Sequence, residues 1–128
     1  MTAATTFTPD EAAYLRAATL GRLSTLVRDG SPTVVPVTFD LADDDATLQI
    51  HGHRLEASAK ARNLARDDRF AFVVDDGVGE TARGVLVRGR ADVVTEADGS
   101  AWLQLHPTSV TSWGVDTHPF TRQRRDVV

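Results

Sequence analysis

The 128-residue chain has no cysteine and only one lysine, one tyrosine and one methionine. Without cysteine there is no disulfide framework, thiolate zinc site, iron–sulfur cluster or cysteine nucleophile. No apolar run approaches the ~20 residues that a helix needs to cross a bilayer, so no membrane partner is expected. The start, Met1-Thr2-Ala3-Ala4-Thr5-Thr6, lacks a basic stretch leading into an apolar core. A secretory signal is therefore not expected, and the cytoplasm is the expected compartment. Positive charge is short as well: the formal net charge is −4. That argues against a nucleic-acid binder, which needs a basic surface, but leaves room for a local anion site.

What remains is rich in arginine and aspartate: 13 arginines accompany the one lysine, Lys60, and 14 of the 18 acids are aspartate. Arginine suits bidentate recognition of phosphate or carboxylate, and aspartate favours caps and loops. The length fits one domain over 1–128, large enough to bury about two-thirds of its unfolded surface.

Thr8-Pro9-Asp10-Glu11 reads as a helix start, with a capping threonine, proline at the first turn and Glu11 closing a capping box. The helix should run through Tyr14, Leu15 and Ala18 and stop near Gly21. Arg22–Val27 and Thr33–Phe39 flank Asp29-Gly30, a hairpin signal. Pro36 within the second run implies an edge strand or a bulge. Asp43-Asp44-Asp45 makes a turn before a short strand, Thr47–His51. Ala57–Arg66 has helical period, with Ala57, Ala61, Leu64 and Ala65 as its apolar stripe. Phe70–Asp75 and Gly84–Thr95 read as strands, and Gly89 marks a bulge or close backbone approach. Trp102–Leu105 and Val110–Trp113 form a last strand region broken by Pro107, and residues 117–128 a polar tail. These elements predict a mainly β fold with two helices and about six antiparallel strands, a small barrel or sandwich.

The segment Ala57–Arg66 carries the most chemistry. Arg54 precedes it, and Ser58, Lys60, Arg62 and Asn63 lie in its first turns. Free N–H groups at a helix start favour an anion. One reading is a phosphate or diphosphate site; the other is a solvated basic face on which Ser58 simply caps. His51-Gly52-His53 with Glu56 invites a metal reading, but the spacing to Glu56 is too short for a cupin-like set, and a polar pocket or solvent suits the two histidines better. Gly77-Val78-Gly79-Glu80-Thr81-Ala82 has the letters of a dinucleotide fingerprint, yet a strand follows it instead of a helix. Ser24, Ser58 and Ser112 have no recognisable histidine–acid partners for nucleophilic catalysis. Trp102 and Trp113 suit core or interface anchors, and Trp113 before Gly114 suits a pocket rim.

Four stretches taken in order resemble the pyridoxamine 5′-phosphate oxidase-like flavin and deazaflavin oxidoreductases. They are Leu20–Leu26 with Asp29-Gly30-Ser31-Pro32, Val34-Val35-Pro36-Val37, Ser58–Leu64 with Asp67-Asp68-Arg69, and Arg83–Ala91. The ending Leu105-His106-Pro107 to Ser112-Trp113-Gly114-Val115-Asp116 resembles the actinobacterial branch that uses the deazaflavin coenzyme F420, including reductases of late tetracycline biosynthesis. The resemblance implies a six-stranded split β-barrel of the FMN-binding type. It also implies a homodimer with the cofactor at the interface, and hydride transfer from reduced F420 to a conjugated organic molecule. Carried over residue by residue, Arg54, Ser58, Lys60, Arg62 and Asn63 would hold the cofactor phosphate. Val35, Pro36 and Val37 would offer backbone to the ring, His51 and Gly52 would end a strand beside it, and Trp113 would sit at the rim or dimer contact. FMN in place of F420, and a carrier that binds the cofactor without turnover, remain open alternatives. Two departures stand out: Asp67-Asp68-Arg69 replaces the family's Asp/Asn-Pro-Arg, and Glu96–Ser100 is short where relatives often have a helix.

Overall fold

Alternating valines from Val85 onward and a second alternating stretch after Ala101 build the two longest strands, and the rest of the sheet assembles on them. A computed structural model describes residues 6–127; residues 1–5, considered above for a secretory signal, lie outside the described residues. In chain order the elements are α1 (Pro9–Ala17), β1 (Leu20–Leu26), β2 (Pro32–Thr38), β3 (Asp40–Leu41), β4 (Leu48–Ile50), α2 (Ala59–Arg66), β5 (Arg69–Asp76), β6 (Arg83–Thr95), β7 (Ala101–Trp113) and β8 (Arg122–Asp126). Short 3-10 turns occur at Leu55–Ala57 and Gly79–Thr81. Among the described residues no helix is long and apolar enough to cross a membrane.

The sheet is antiparallel throughout, in the order β2-β1-β5-β6-β7-β4-β3, with β8 also on β7. It curls into a half-barrel around a core that includes Leu15, Leu23, Leu48, Ile50, Leu55, Phe72, Val85, Val87, Leu103 and Leu105. Phe39 packs edge-on against Phe72 with ring centroids 5.0 Å apart. β2 lies at the end of the sheet, the position that Pro36 predicts.

The sheet has eight strands, not six. Two additions account for this: the two-residue β3, and β8, which forms from the supposed polar tail. The last strand is also continuous through Pro107, because the β6–β7 register shifts between Arg88 and Gly89 and accommodates the proline there. A Cβ on Gly89 would fall 2.0 Å from the His106 carbonyl oxygen, so the bulge requires glycine.

α1 shows its predicted start in full. Thr8 Oγ1 accepts from the Glu11 amide at 3.1 Å, and Glu11 Oε1 accepts from the Thr8 amide at 2.9 Å. Glu11 is 0% exposed. A buried carboxylate needs a charged partner, and β8 supplies it: Arg125 donates to both Glu11 oxygens and to the Thr6 carbonyl. Val110 and Arg125 face each other in the register, which turns Arg125 inward under α1.

α2 begins at Ala59, two residues later than the sequence suggests. Its apolar stripe is narrower: Ala61 and Leu64 are buried, while Ala57 and Ala65 are exposed. Asn63 takes the remaining inward position at 7% exposure.

Candidate functional site

Ser58 caps α2. Its hydroxyl accepts from the Ala61 amide at 3.2 Å and donates to the Leu55 carbonyl at 2.6 Å. Asn63 ties the helix to β1: its Nδ2 donates to Thr25 Oγ1 at 3.1 Å, and its Oδ1 accepts from Arg66 at 2.9 Å. Both ends of that amide are therefore engaged within the chain. Arg66 also donates to the Leu26 carbonyl at 3.1 Å. Together these bonds moor α2 to the Leu26 end of β1.

The cations of this region face outward. Lys60 is half-buried, with no protein hydrogen-bond partner among the described residues. Arg62 donates to the Ala57 carbonyl at 2.7 Å. Arg54 is exposed and adopts a left-handed backbone with φ 52°, a conformation that costs a non-glycine residue free energy. Arg28, Arg62 and Arg66 line an open cleft of about 590 Å³ with Asn63. Arg28 and Arg66 were not expected in the site. Arg28 enters from the β1–β2 hairpin turn, and only the folded register brings it beside α2. Just past the helix, two hydrogen bonds from Arg69, at 2.7 and 3.0 Å, hold the Asp67 carboxyl at about 2. The altered turn after the helix thus closes on its own ion pair.

The other predicted residues divide between β2 and the opposite end of the sheet. Val35 and Val37 face Leu23 and Gly21 across the β1–β2 register. Val37 is buried, whereas Val35 is 38% exposed. Pro36 faces Arg22 on the other side of the sheet. His51 and Gly52 fall just beyond β4, which ends at Ile50, so His51 and His53 lie in a loop and do not share a strand face. His51 stacks on Trp102 with centroids 5.2 Å apart, and lines a cavity of about 540 Å³ with Thr38 and Phe39. Trp113 ends β7. Its ring covers Gly84, where a Cβ would fall 2.4 Å from Cζ2, and the Arg122 guanidinium lies 5.0 Å above it.

A third grouping was not foreseen. α1, the end of β5 and the start of β6 line a cavity of about 610 Å³. Tyr14 and Arg83 line it, and both reach Asp76 Oδ1, at 2.6 Å from the hydroxyl and 2.9 Å from Nε. These bonds hold the Asp76 carboxyl below the usual range, the Tyr14 bond being the larger cause. Burial, then the bond to Asp76, pushes the Tyr14 hydroxyl up. Tyr14 and Asp76 lie 62 positions apart in the chain, so no local pattern announces them.

The family pattern described as pyridoxamine 5′-phosphate oxidase matches residues 7–116. The chain is 35% identical over 120 residues to a 5a,11a-dehydrotetracycline/5a,11a-dehydrooxytetracycline reductase of Streptomyces rimosus subsp. rimosus, covering 86% of this chain and 84% of that one. Among solved structures, a conserved hypothetical protein of Mycobacterium tuberculosis superposes with a TM-score of 0.72 at 22% identity, over 84% of each chain. An FAD-binding protein of Mycobacterium smegmatis superposes with a TM-score of 0.64 at 20% identity, over 97% of this chain and 100% of that one. Both structures share the split-barrel fold seen here. With the family pattern spanning α1 to the end of β7 and a relative matched over most of its length, the chain belongs to the pyridoxamine 5′-phosphate oxidase family.

Proposed function

We propose that the protein is an oxidoreductase that holds reduced coenzyme F420 and reduces a conjugated organic small molecule. The observation that carries this reading is the likeness, over 86% of the chain, to a reductase of dehydrotetracyclines. The residues present fit a long, phosphate-bearing cofactor. α2 leaves the Ala59 and Lys60 amides without protein partners among the described residues, and the half-buried Lys60 ammonium stands beside them. Arg54 and Arg62 add charge, Ser58 fixes the helix start, and Asn63 fixes its orientation against β1. Val35, Pro36 and Val37 offer β2 to the ring system, with His51 and Gly52 beside it just beyond β4 and Trp113 at the rim. When bound, the reduced ring supplies the hydride; the protein binds and orients both reactants and excludes water.

A second copy of the chain fits the outer face of the sheet. Directly opposed residues share a face, so Val34, Ser24 and Ala71 lie together, and Pro36, Arg22, Val73 and Leu86 beside them. Val34 is 62% exposed there. A homodimer that covers this face, in which Arg22 and Ser24 lie among apolar side chains, would place the cofactor between two copies.

Fluorescence titration of the cofactor-free protein tests the reading. Micromolar F420 binding is expected, with no FMN binding and a loss of at least about tenfold in Lys60→Ala, as for a charge-assisted hydrogen bond. A protein that purifies yellow with FMN overturns the F420 assignment in favour of FMN, a reading that the FAD-binding relative supports. Equal F420 binding by wild type and Lys60→Ala overturns the phosphate assignment. Binding of reduced F420 that no enone or quinone oxidises makes the protein a carrier.

A further inference from the structure

The cavity lined by Tyr14 and Arg83 stands at the Leu20 end of β1, six residues from the Leu26 end that moors α2, or about 20 Å at ~3.3 Å per residue. Its volume of about 610 Å³ falls in the ~300–1,000 Å³ range of small-molecule sites. Its apolar walls are Ala13 and Ala17, from the flank of α1 turned away from the core, with Leu20 and Val74 from the ends of β1 and β5. Its polar side is built rather than incidental. Tyr14 and Arg83 converge on the same Asp76 oxygen, and the Arg83 guanidinium lies 5.0 Å over the Tyr14 ring. That arrangement fixes the guanidinium through Nε. Among the described residues no protein group accepts from its two Nη atoms. A pre-positioned pair of parallel donors beside apolar walls suits a carbonyl or enolate oxygen.

We propose that this cavity binds the acceptor, a flat conjugated molecule whose carbonyl or enolate oxygen is held by Arg83 and whose body lies against Ala13, Ala17, Leu20 and Val74. The proposal rests on the oxidoreductase reading for the presence of an acceptor. Strand register supplies the continuity: Val37 faces Gly21 and Thr38 faces Leu20, so the part of β2 assigned to the cofactor ring ends beside this opening. Ala18 and Thr19 wall both this cavity and the one lined by His51 and Thr38. Charge narrows the ligand class. Asp10, Asp75 and Asp76 line the cavity with Arg83, so a phosphate or polycarboxylate is repelled and a neutral or amine-bearing polyketone is admitted.

Tetracycline is a suitable probe. It is titrated into cofactor-free protein in the presence of EDTA and read by its own fluorescence. Wild type is expected to bind, Arg83→Met to bind at least about tenfold more weakly and Tyr14→Phe about threefold more weakly. Arg88→Met, on the exposed face of β6 and outside the cavity, should leave the affinity unchanged. Millimolar inorganic phosphate should not compete. Should Arg83→Met fold poorly, Ala13→Trp fills the cavity from an exposed helix position and should abolish binding. Equal affinity in Arg83→Met, retained binding in Ala13→Trp, or competition by phosphate overturns the proposal. So does a wild type that binds F420 and not tetracycline, which leaves the cofactor reading intact. Arg83-dependent tetracycline binding by a protein that ignores F420 has the reverse meaning: the pocket stands and the cofactor assignment falls.

Discussion

At the Leu26 end of β1, Arg28, Arg62 and Arg66 gather around α2; at the Leu20 end, Asp10, Asp75 and Asp76 surround Tyr14 and Arg83. The basic end comes mostly from one stretch, Arg54–Arg66, with Arg28 added from a hairpin. The acidic end draws on α1, two strand ends and the turn after β7. One strand thus separates a site that neighbouring residues build from a site that only folding can assemble. A chain of net charge −4 can thus present a local basic cleft, because Arg28, Arg62 and Arg66 gather there while the acids lining the other cavity lie at the far end of β1.

The sharpest way to break the comparison is to loosen one end alone. Arg125 is the charged partner of the fully buried Glu11, and Glu11 caps the helix that walls the acidic cavity. Arg125→Met should cost about 3 kcal/mol, because it strands a buried carboxylate. The readout is the urea midpoint, and the affinity of the folded protein for F420 should be unchanged. An unaltered midpoint would show that the clamp contributes nothing.

The matching cut at the basic end is Asn63→Ala. It leaves the buried Thr25 hydroxyl without its partner and takes one of two acceptors from Arg66, and should cost about 1–3 kcal/mol. Denaturant unfolding checks it. The Tyr14 titration should not move, since that residue lies at the other end.

The smallest effect is spectroscopic. Tyr14 is the single tyrosine, so absorbance at alkaline pH reports it alone. Its ionisation should lie above the ordinary phenol value of about 10. A group raised in the folded state stabilises below its unfolded pKa, so this contribution is full below about pH 10 and is lost as pH rises through the folded value. Asp76→Asn should lower the midpoint by removing the carboxylate charge beside the hydroxyl, and Arg83→Met should raise it by removing a neighbouring cation. No shift in either variant would dissolve the Tyr14–Asp76–Arg83 unit.

The sequence was informative wherever one segment suffices. The Thr8–Glu11 capping box, the Asp29-Gly30 turn with Gly30 at φ 89°, the edge position of Pro36 and the bulge at Gly89 all follow from local chemistry. β8 was hidden because Arg-Gln-Arg-Arg-Asp has no apolar alternation; its inward residue is a charge whose partner lies 114 positions away. Asn63 broke the apolar stripe of α2 for a similar reason, since Thr25, 38 positions earlier, makes its burial tolerable. The family resemblance offers α2 as a candidate phosphate helix by motif, whereas the cavity at the other end has no motif to match.

Proline at the free margin of β2 has a consequence for how molecules meet. The outer edge of that strand is a ladder with rungs missing: Pro32 and Pro36 bring no N–H, so a foreign strand laid along it cannot zip continuously. Growth of the sheet by strand addition is frustrated on that side. Contacts along that margin rest on side chains rather than on a continued backbone ladder.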